Sequence, residues 1–295
     1  MAVRRFLRVA SRACRLIAAG LGLALLVSGP ALGGPTVVLH LEPATVRAGG
    51  VARLRIVAPK SVRLGTLQMG TRVIALPEPD ARVLWLGVDL EARPGALLLR
   101  LEAEDAGGRL TVEGRLQVLE GKYPVQRLTL PRTFVELDPP TLERVAAERA
   151  RLDALWDHMS PRSWRGAFRL PLDGAGPAAG FGARRIINGE SRAPHTGVDF
   201  PAAAGTPVLA ANAGRVALVA DMFFSGRTVV LDHGDGLFTM YFHLQDTVVQ
   251  PGREVKRGEA LGHVGSTGRA SGPHLHWGAR LTGARIDPNA LLKID

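Results

Sequence analysis

The sequence predicts a mainly β protein: an N-terminal Ig-like β-sandwich, a linker helix and a C-terminal antiparallel β-sheet domain. Three observations carry this. Apolar and polar residues alternate at period two through most of residues 35–120, as in half-buried strands. Glycine (35) and proline (20) are plentiful while aromatics make up 5%, which suits a turn-rich, strand-rich chain. The helical period appears clearly once, at residues 141–159. At 295 residues and 46% hydrophobic content, the chain is long enough for two cores.

Residues 1–33 read as a secretory signal peptide. Arg4, Arg5, Arg8, Arg12 and Arg15 form a basic start, Leu16 to Val27 an apolar core, and Ala31-Leu32-Gly33 a cleavage signal. The apolar run is short of the roughly 20 residues that a spanning helix needs, so no membrane span is expected after cleavage. The formal charge of +10 falls to +5 without these five arginines, and no basic run is interleaved with aromatics; nucleic acid is excluded as a partner. Cys14, the one cysteine, leaves with the leader, so a metal site in the exported chain must use histidines and carboxylates.

The sandwich is expected over residues 34–125. Ala52, Leu54 and Ile56 face one way and Arg53 and Arg55 the other; Leu99, Leu101 and Ala103 alternate with Arg100, Glu102 and Glu104. Turn signals at Ala48-Gly49-Gly50, Arg93-Pro94-Gly95 and Ala106-Gly107-Gly108 separate the runs. Its lone His40 is a structural or surface residue. A linker follows over 126–164, with a helix that starts at Asp138-Pro139-Pro140-Thr141 and carries Leu142, Val145, Leu152, Leu155, Trp156 and Met159 on one stripe. His158, near its end, is a surface or capping residue. The second domain, 165–295, returns to short strands at 208–211, 214–219, 228–232, 237–243 and 274–281, with a hairpin turn in Asp232-His233-Gly234-Asp235-Gly236. His233 is expected to bond locally there, and Trp277 to be core.

Six of the eight histidines lie after residue 190, and three clusters bear chemistry: His195-Thr196-Gly197-Val198-Asp199, Tyr241-Phe242-His243-Leu244 and His274-Leu275-His276-Trp277. In a strand, residues two apart share a face, so His274 and His276 project together, as do Tyr241 and His243, with Phe242 and Leu244 opposite. His195 and Asp199 reach one metal only if the chain bends at Thr196-Gly197. Two imidazoles and one carboxylate suit a catalytic zinc site with an open position, leaving two histidines for proton transfer. Spacing alone does not say which histidines bind and which catalyse.

The stretch from Gly180-Phe181-Gly182 through His195-Thr196-Gly197-Val198-Asp199-Phe200 resembles the lysostaphin/LytM-type zinc endopeptidases. So do Gly205-Thr206-Pro207-Val208, Tyr241-Phe242-His243-Leu244, Gly265-Ser266-Thr267-Gly268 and Ser271-Gly272-Pro273-His274-Leu275-His276-Trp277. The resemblance covers roughly residues 165–291. It implies one Zn2+ per chain on His195, Asp199 and His276, with His243 and His274 catalytic. It also implies peptidoglycan as substrate and a periplasmic or cell-envelope location. Arg184 and Asn188 are expected to touch substrate, and His263 to be structural. Relatives that have lost ligands act as activators of cell-wall amidases; all five positions are intact here. The last expectation is that residues 35–120 partly cover the groove.

Overall fold

A computed structural model describes residues 36–76, 82–129 and 136–294. The expected leader at 1–33, with its expected cleavage point, lies outside the described residues, as does part of the expected linker.

The N-terminal unit is a two-sheet sandwich. Its strands are β1 (Val38–Glu42), β2 (Thr45–Arg47), β3 (Val51–Val57), β4 (Arg63–Met69), β5 (Arg72–Ile74), β6 (Val83–Gly87), β7 (Gly95–Asp105) and β8 (Gly108–Leu119). One sheet runs β1-β3-β6; the other runs β2-β8-β7-β4-β5, with β2 parallel to β8. The alternation seen in the sequence is the reason: Ala52, Leu54, Ile56 and Leu86 from one sheet bury against Leu67, Leu99, Leu101 and Leu116 from the other. Each fully buried leucine is worth about 1.5–3 kcal/mol.

After the sandwich come β9 (Val125–Leu128) and α1 (Pro139–Asp153). The Asp138 side chain accepts from Thr141 N and the two prolines open the helix, as the sequence indicates. The helix is shorter than the expected 141–159, and none of its residues is buried; Leu142 is 53% exposed. The stripe predicted to bury is used only at its C-terminal end. There the chain leaves the helix to seat Trp156 edge-on against Phe238, 5.3 Å between centroids.

The C-terminal unit contains β10 (Arg184–Ile187), β11 (Glu190–Arg192), β12 (Gly197–Pro201), β13 (Pro207–Leu209), β14 (Gly214–Met222), β15 (Gly226–Gly234), β16 (Leu237–Thr247), β17 (Glu254–Val255), β18 (Ala260–Val264), β19 (His274–Leu281) and β20 (Ala284–Ile286). Its main sheet runs β12-β19-β16-β15-β14-β17, antiparallel throughout. Both faces are covered. Val229, Leu231, Tyr241 and Trp277 enter the larger core, while Val230, Phe238 and Met240 pack under Trp156. A separate three-stranded sheet, β11-β10-β9, joins the segment after the sandwich to the C-terminal unit, with β9 parallel to β10.

The two units are packed on each other. Leu90, in the loop after β6, belongs to the C-terminal core. Arg285 clasps Asp89 through Nε and Nη2 at 3.0 and 2.6 Å. Among the described residues, no helix is long and apolar enough to cross a membrane.

Candidate metal centre

The ladder between β12 and β19 places Asp199 directly opposite His276. His195 stands two residues before β12, pinned by backbone hydrogen bonds between His195 O and Gly182 N (2.8 Å) and between His195 N and Ala183 O (3.0 Å). His195 and Asp199, four residues apart, meet through their side chains, so the chain between them is not fully extended. His276 Nδ1 lies 2.9 Å from Asp199 Oδ1 and 2.9 Å from His195 Nε2, and the third edge, His195 Nε2 to Asp199 Oδ1, is 3.2 Å. Among the described residues this is the group whose ligand atoms, all within 4.8 Å of one another, could hold a metal ion.

The donor set fits zinc. Tetrahedral Zn–N and Zn–O distances of about 2.0–2.2 Å put donors roughly 3.3 Å apart, close to the triangle seen. The His195 Nδ1–H donates to Gly180 O at 3.0 Å, which fixes the tautomer and turns the Nε2 lone pair inward. His195 and His276 are 4% and 6% exposed. Burial pushes the Asp199 carboxyl up, but its close contacts with the His195 and His276 rings outweigh that and hold the group well below the usual carboxylate range. Burial lowers His276. A carboxylate held ionised beside an imidazole biased to its neutral form suits a cation.

His243 and His274 stand beside the triangle, their rings 4.7 Å apart. The Nδ1–H of His243 donates to Thr267 O and that of His274 to Gly272 O, both at 2.8 Å, so each keeps Nε2 for the groove. His274 Nε2 is 3.9 Å from Asp199 Oδ1. Burial brings His243 down to about 4, against the pull of the Thr267 carbonyl.

One expectation is corrected here. Strict alternation puts Phe242 on the face away from His243, yet both line the groove, with Phe242 stacked on the His276 ring at 5.2 Å and 4°. The cause is the backbone: His243 has φ 62, left-handed, and the ladders on both sides of β16 shift register there. A non-glycine residue held in this region costs on the order of 1 kcal/mol or more, and such strain gathers at functional sites.

The groove has a volume of about 510 Å³. Arg184 and Asn188 do not line it; Arg185 and Ile187 do. Asn188-Gly189 is the two-residue turn between β10 and β11, with φ 53 and 86, and this fixes the strand phase so that Arg185 and Ile187 share the groove face. Arg184, on the other face, pairs with Glu120 at 3.7 Å. Gln126 and Leu128 of β9 form another wall, and Phe224 and Arg269 a third; none of these carried a motif in the sequence. Among the described residues, no sandwich residue lines the groove, so the expected cover by residues 35–120 is not what shapes it.

Two further histidines are held in local hydrogen bonds. His233 is not in the hairpin turn but fully buried at the end of β15, bridging Ala213 O and Thr239 Oγ1, each at 2.7 Å. His263 Nδ1 meets Asp246 Oδ1 at 2.7 Å. Trp277 is 0% exposed, in the core as expected.

Residues 193–288 match the model of Peptidase family M23. The peptidoglycan DD-endopeptidase ShyC of Vibrio cholerae serotype O1 is 37% identical over 133 residues, 44% of this chain and 30% of the relative. The DD-carboxypeptidase/endopeptidase Mpg of Neisseria meningitidis serogroup B is 42% identical over 94 residues, 32% of this chain and 22% of the relative. A solved structure from Pseudomonas aeruginosa, assigned to peptidase M23, superposes with a TM-score of 0.63 at 31% identity, covering 83% of this chain and 94% of that one. The chain thus spans a third or less of these curated relatives, but nearly all of that solved structure.

Proposed function

Because the chain belongs to peptidase family M23, we propose that it is an exported zinc endopeptidase cutting peptide cross-links or stems of peptidoglycan. The observation that carries this reading is the convergence of five side chains. His195, Asp199 and His276 present ligand atoms within 4.8 Å of one another, and His243 and His274 stand beside them. In this reading the first three hold the metal and the last two move protons. The chain then divides into a leader (1–33), a sandwich (34–125), a linker (126–164) and a peptidase domain (165–295).

Zinc, when bound, supplies a Lewis acid that makes water a nucleophile near neutral pH and polarises a carbonyl. The rest is the work of this chain. Because His243 and His274 give their Nδ1–H groups to backbone carbonyls, each offers an Nε2 lone pair. One accepts a proton from the water that attacks the amide carbon. The proton passes to the amide nitrogen, which leaves as an amine. The imidazolium present between these events stabilises negative charge on the carbonyl oxygen. Phe242, stacked on His276, keeps that ring in place and water away from one side of it.

The leader at 1–33 and the wall-directed activity named for the relatives support a periplasmic or cell-envelope location. The test is direct. The purified mature chain, loaded with zinc, is incubated with defined cross-linked muropeptides, and products are identified by mass spectrometry. The expected result is two fragments whose summed mass exceeds the substrate by one water. Intact muropeptides after incubation with zinc-loaded protein refute the proposal.

A further inference from the structure

The groove wall is cationic. Arg185 and Arg269 both line it, and Asp199, already engaged by His195 and His276, is its one lining carboxylate among the described residues. Strand pairing sets Arg185 directly opposite Arg192 across β10 and β11, an arrangement of like charges that costs stability. Arg192 is paired with Glu190 at 2.6 Å. Burial works against the charge of both Arg185 and Arg269, and repulsion from Arg185 and Arg192 adds to this at Arg269. A fold that accepts these costs beside its reactive centre places the charge for a ligand.

The two guanidinium groups are also oriented. Arg185 Nε donates to Gln126 Oε1 at 3.4 Å. The Arg269 guanidinium carbon lies 4.2 Å from the centroid of the Phe224 ring, a cation–π contact that orients its plane. Arg185 is near enough to Asp199 and His276 for its charge to be felt at both. The forked donors of a guanidinium match a carboxylate in bidentate geometry, which a lysine ammonium does not.

We propose that Arg185 and Arg269 form a carboxylate-recognition subsite, which selects peptides bearing a free carboxylate next to the bond that is cut. The subsite deepens the reading above and rests on it for the nature of the ligand: a peptide held across the metal centre.

The test uses two synthetic cross-linked peptides, identical except that one carries a carboxylate and the other a primary carboxamide at the residue beside the scissile bond. Binding is measured by fluorescence anisotropy on zinc-loaded mature protein carrying H243A, so that the peptides survive. The acid should bind at least about 10-fold tighter than the amide, the equivalent of one charge-assisted hydrogen bond. Adding R185Q and R269Q should bring the ratio of the two Kd values to about one, with zinc content unchanged. R185K with R269K, which keeps charge but loses the fork, should retain part of the preference. If R269Q does not fold, R185Q alone should reduce the ratio at least about three-fold. A ratio near one before any arginine is changed overturns the subsite, as does a ratio that survives the arginine substitutions. Cleavage by the unmodified protein separates the two proposals. Selective binding of the acid without cleavage of either peptide leaves the subsite standing and removes the peptidase reading. Cleavage of both with equal affinity does the reverse.

Discussion

Gly197→Ala asks whether the metal centre depends on how closely β12 approaches the His276 ring. A Cβ at residue 197 would lie 2.5 Å from His276 Nε2, 2.8 Å from its Cε1 and 2.5 Å from the Trp277 carbonyl oxygen. Ordinary contacts are about 3.5–4 Å, so ring and backbone must retreat by about 1 Å. The ladder resists, because Gly197 is paired with Gly278 and Asp199 with His276. Phe242 is stacked against the same ring. The displacement therefore falls on His276, and its Nδ1 leaves a triangle whose edges are 2.9, 2.9 and 3.2 Å. Disturbing the groups that hold a metal ligand typically costs 10–100-fold in metal affinity. A misplacement of about 1 Å costs about 10²-fold in rate. Gly197→Ala should accordingly lower zinc affinity at least about 10-fold and cleavage about 10²-fold. Competition against a chelating dye gives the affinity, with Gly176→Ala as control, since a Cβ there meets nothing within 4 Å. Wild-type zinc affinity in Gly197→Ala would show that the close approach is not what positions the ring.

Two further predictions separate roles. His276→Ala should lose most of its zinc by elemental analysis, whereas His243→Ala and His274→Ala should keep it and lose about 10²–10⁴-fold in turnover; near-wild-type turnover in either of the latter removes its proton-transfer role. The Asp89–Arg285 clasp should make stability depend on acid. Burial raises the Asp89 carboxyl, but hydrogen bonds from Arg285 outweigh it and bring the group from 3.8 to about 2. A carboxylate lowered on folding stabilises the protein fully above its unfolded value, and that contribution fades as pH falls from about 4 through 2. Nearly two units correspond to roughly 2 kcal/mol. Asp89→Asn should therefore unfold more easily in urea at pH 6 and differ little from wild type near pH 2; an equal difference at both values would rule out ionic linkage as the source.

The parts of this molecule legible in the sequence are those governed by local period. Ala52, Leu54 and Ile56 on β3, and Leu99, Leu101 and Ala103 on β7, alternate in the sequence as they do in the core. His274 and His276 project together because β19 is a regular strand. Where the backbone departs from regularity, the reading fails for that reason. Left-handed φ at His243 turns its side chain to the groove beside Phe242, and nothing in the residue names announces it. The choice between Arg184 and Arg185 is a matter of phase, set by the Asn188-Gly189 turn, so that signal was present but needed to be propagated along β10. His233 looked like a turn residue because glycines and aspartates surround it; the turn itself is Asp235-Gly236, and His233 fills a buried polar bridge between β15, β16 and Ala213. The apolar stripe on α1 is used only in part, since burial needs a second surface: among the described residues Leu152, Leu155 and Trp156 meet the C-terminal sheet and Met159 the sandwich core.

The contribution of the N-terminal part to the groove can be argued from where its residues go. The sandwich sends Leu90 into the C-terminal core and Asp89 onto Arg285. The chain then turns at Tyr123, whose hydroxyl donates to Ala48 O and whose ring meets Phe181 edge-on at 5.8 Å. These contacts hold the start of β9, and β9 lies along β10 with Gln126 and Leu128 facing the groove. Gln126 in turn orients Arg185. A chain that began near Ser160 would thus lose a wall of the groove, the partner of a groove arginine and a residue of the core. Slower cleavage by such a chain follows from the missing wall, and faster cleavage is not the expected result. Among the described residues, the sandwich bears on this groove through the contacts that hold β9, and none of its residues lines it.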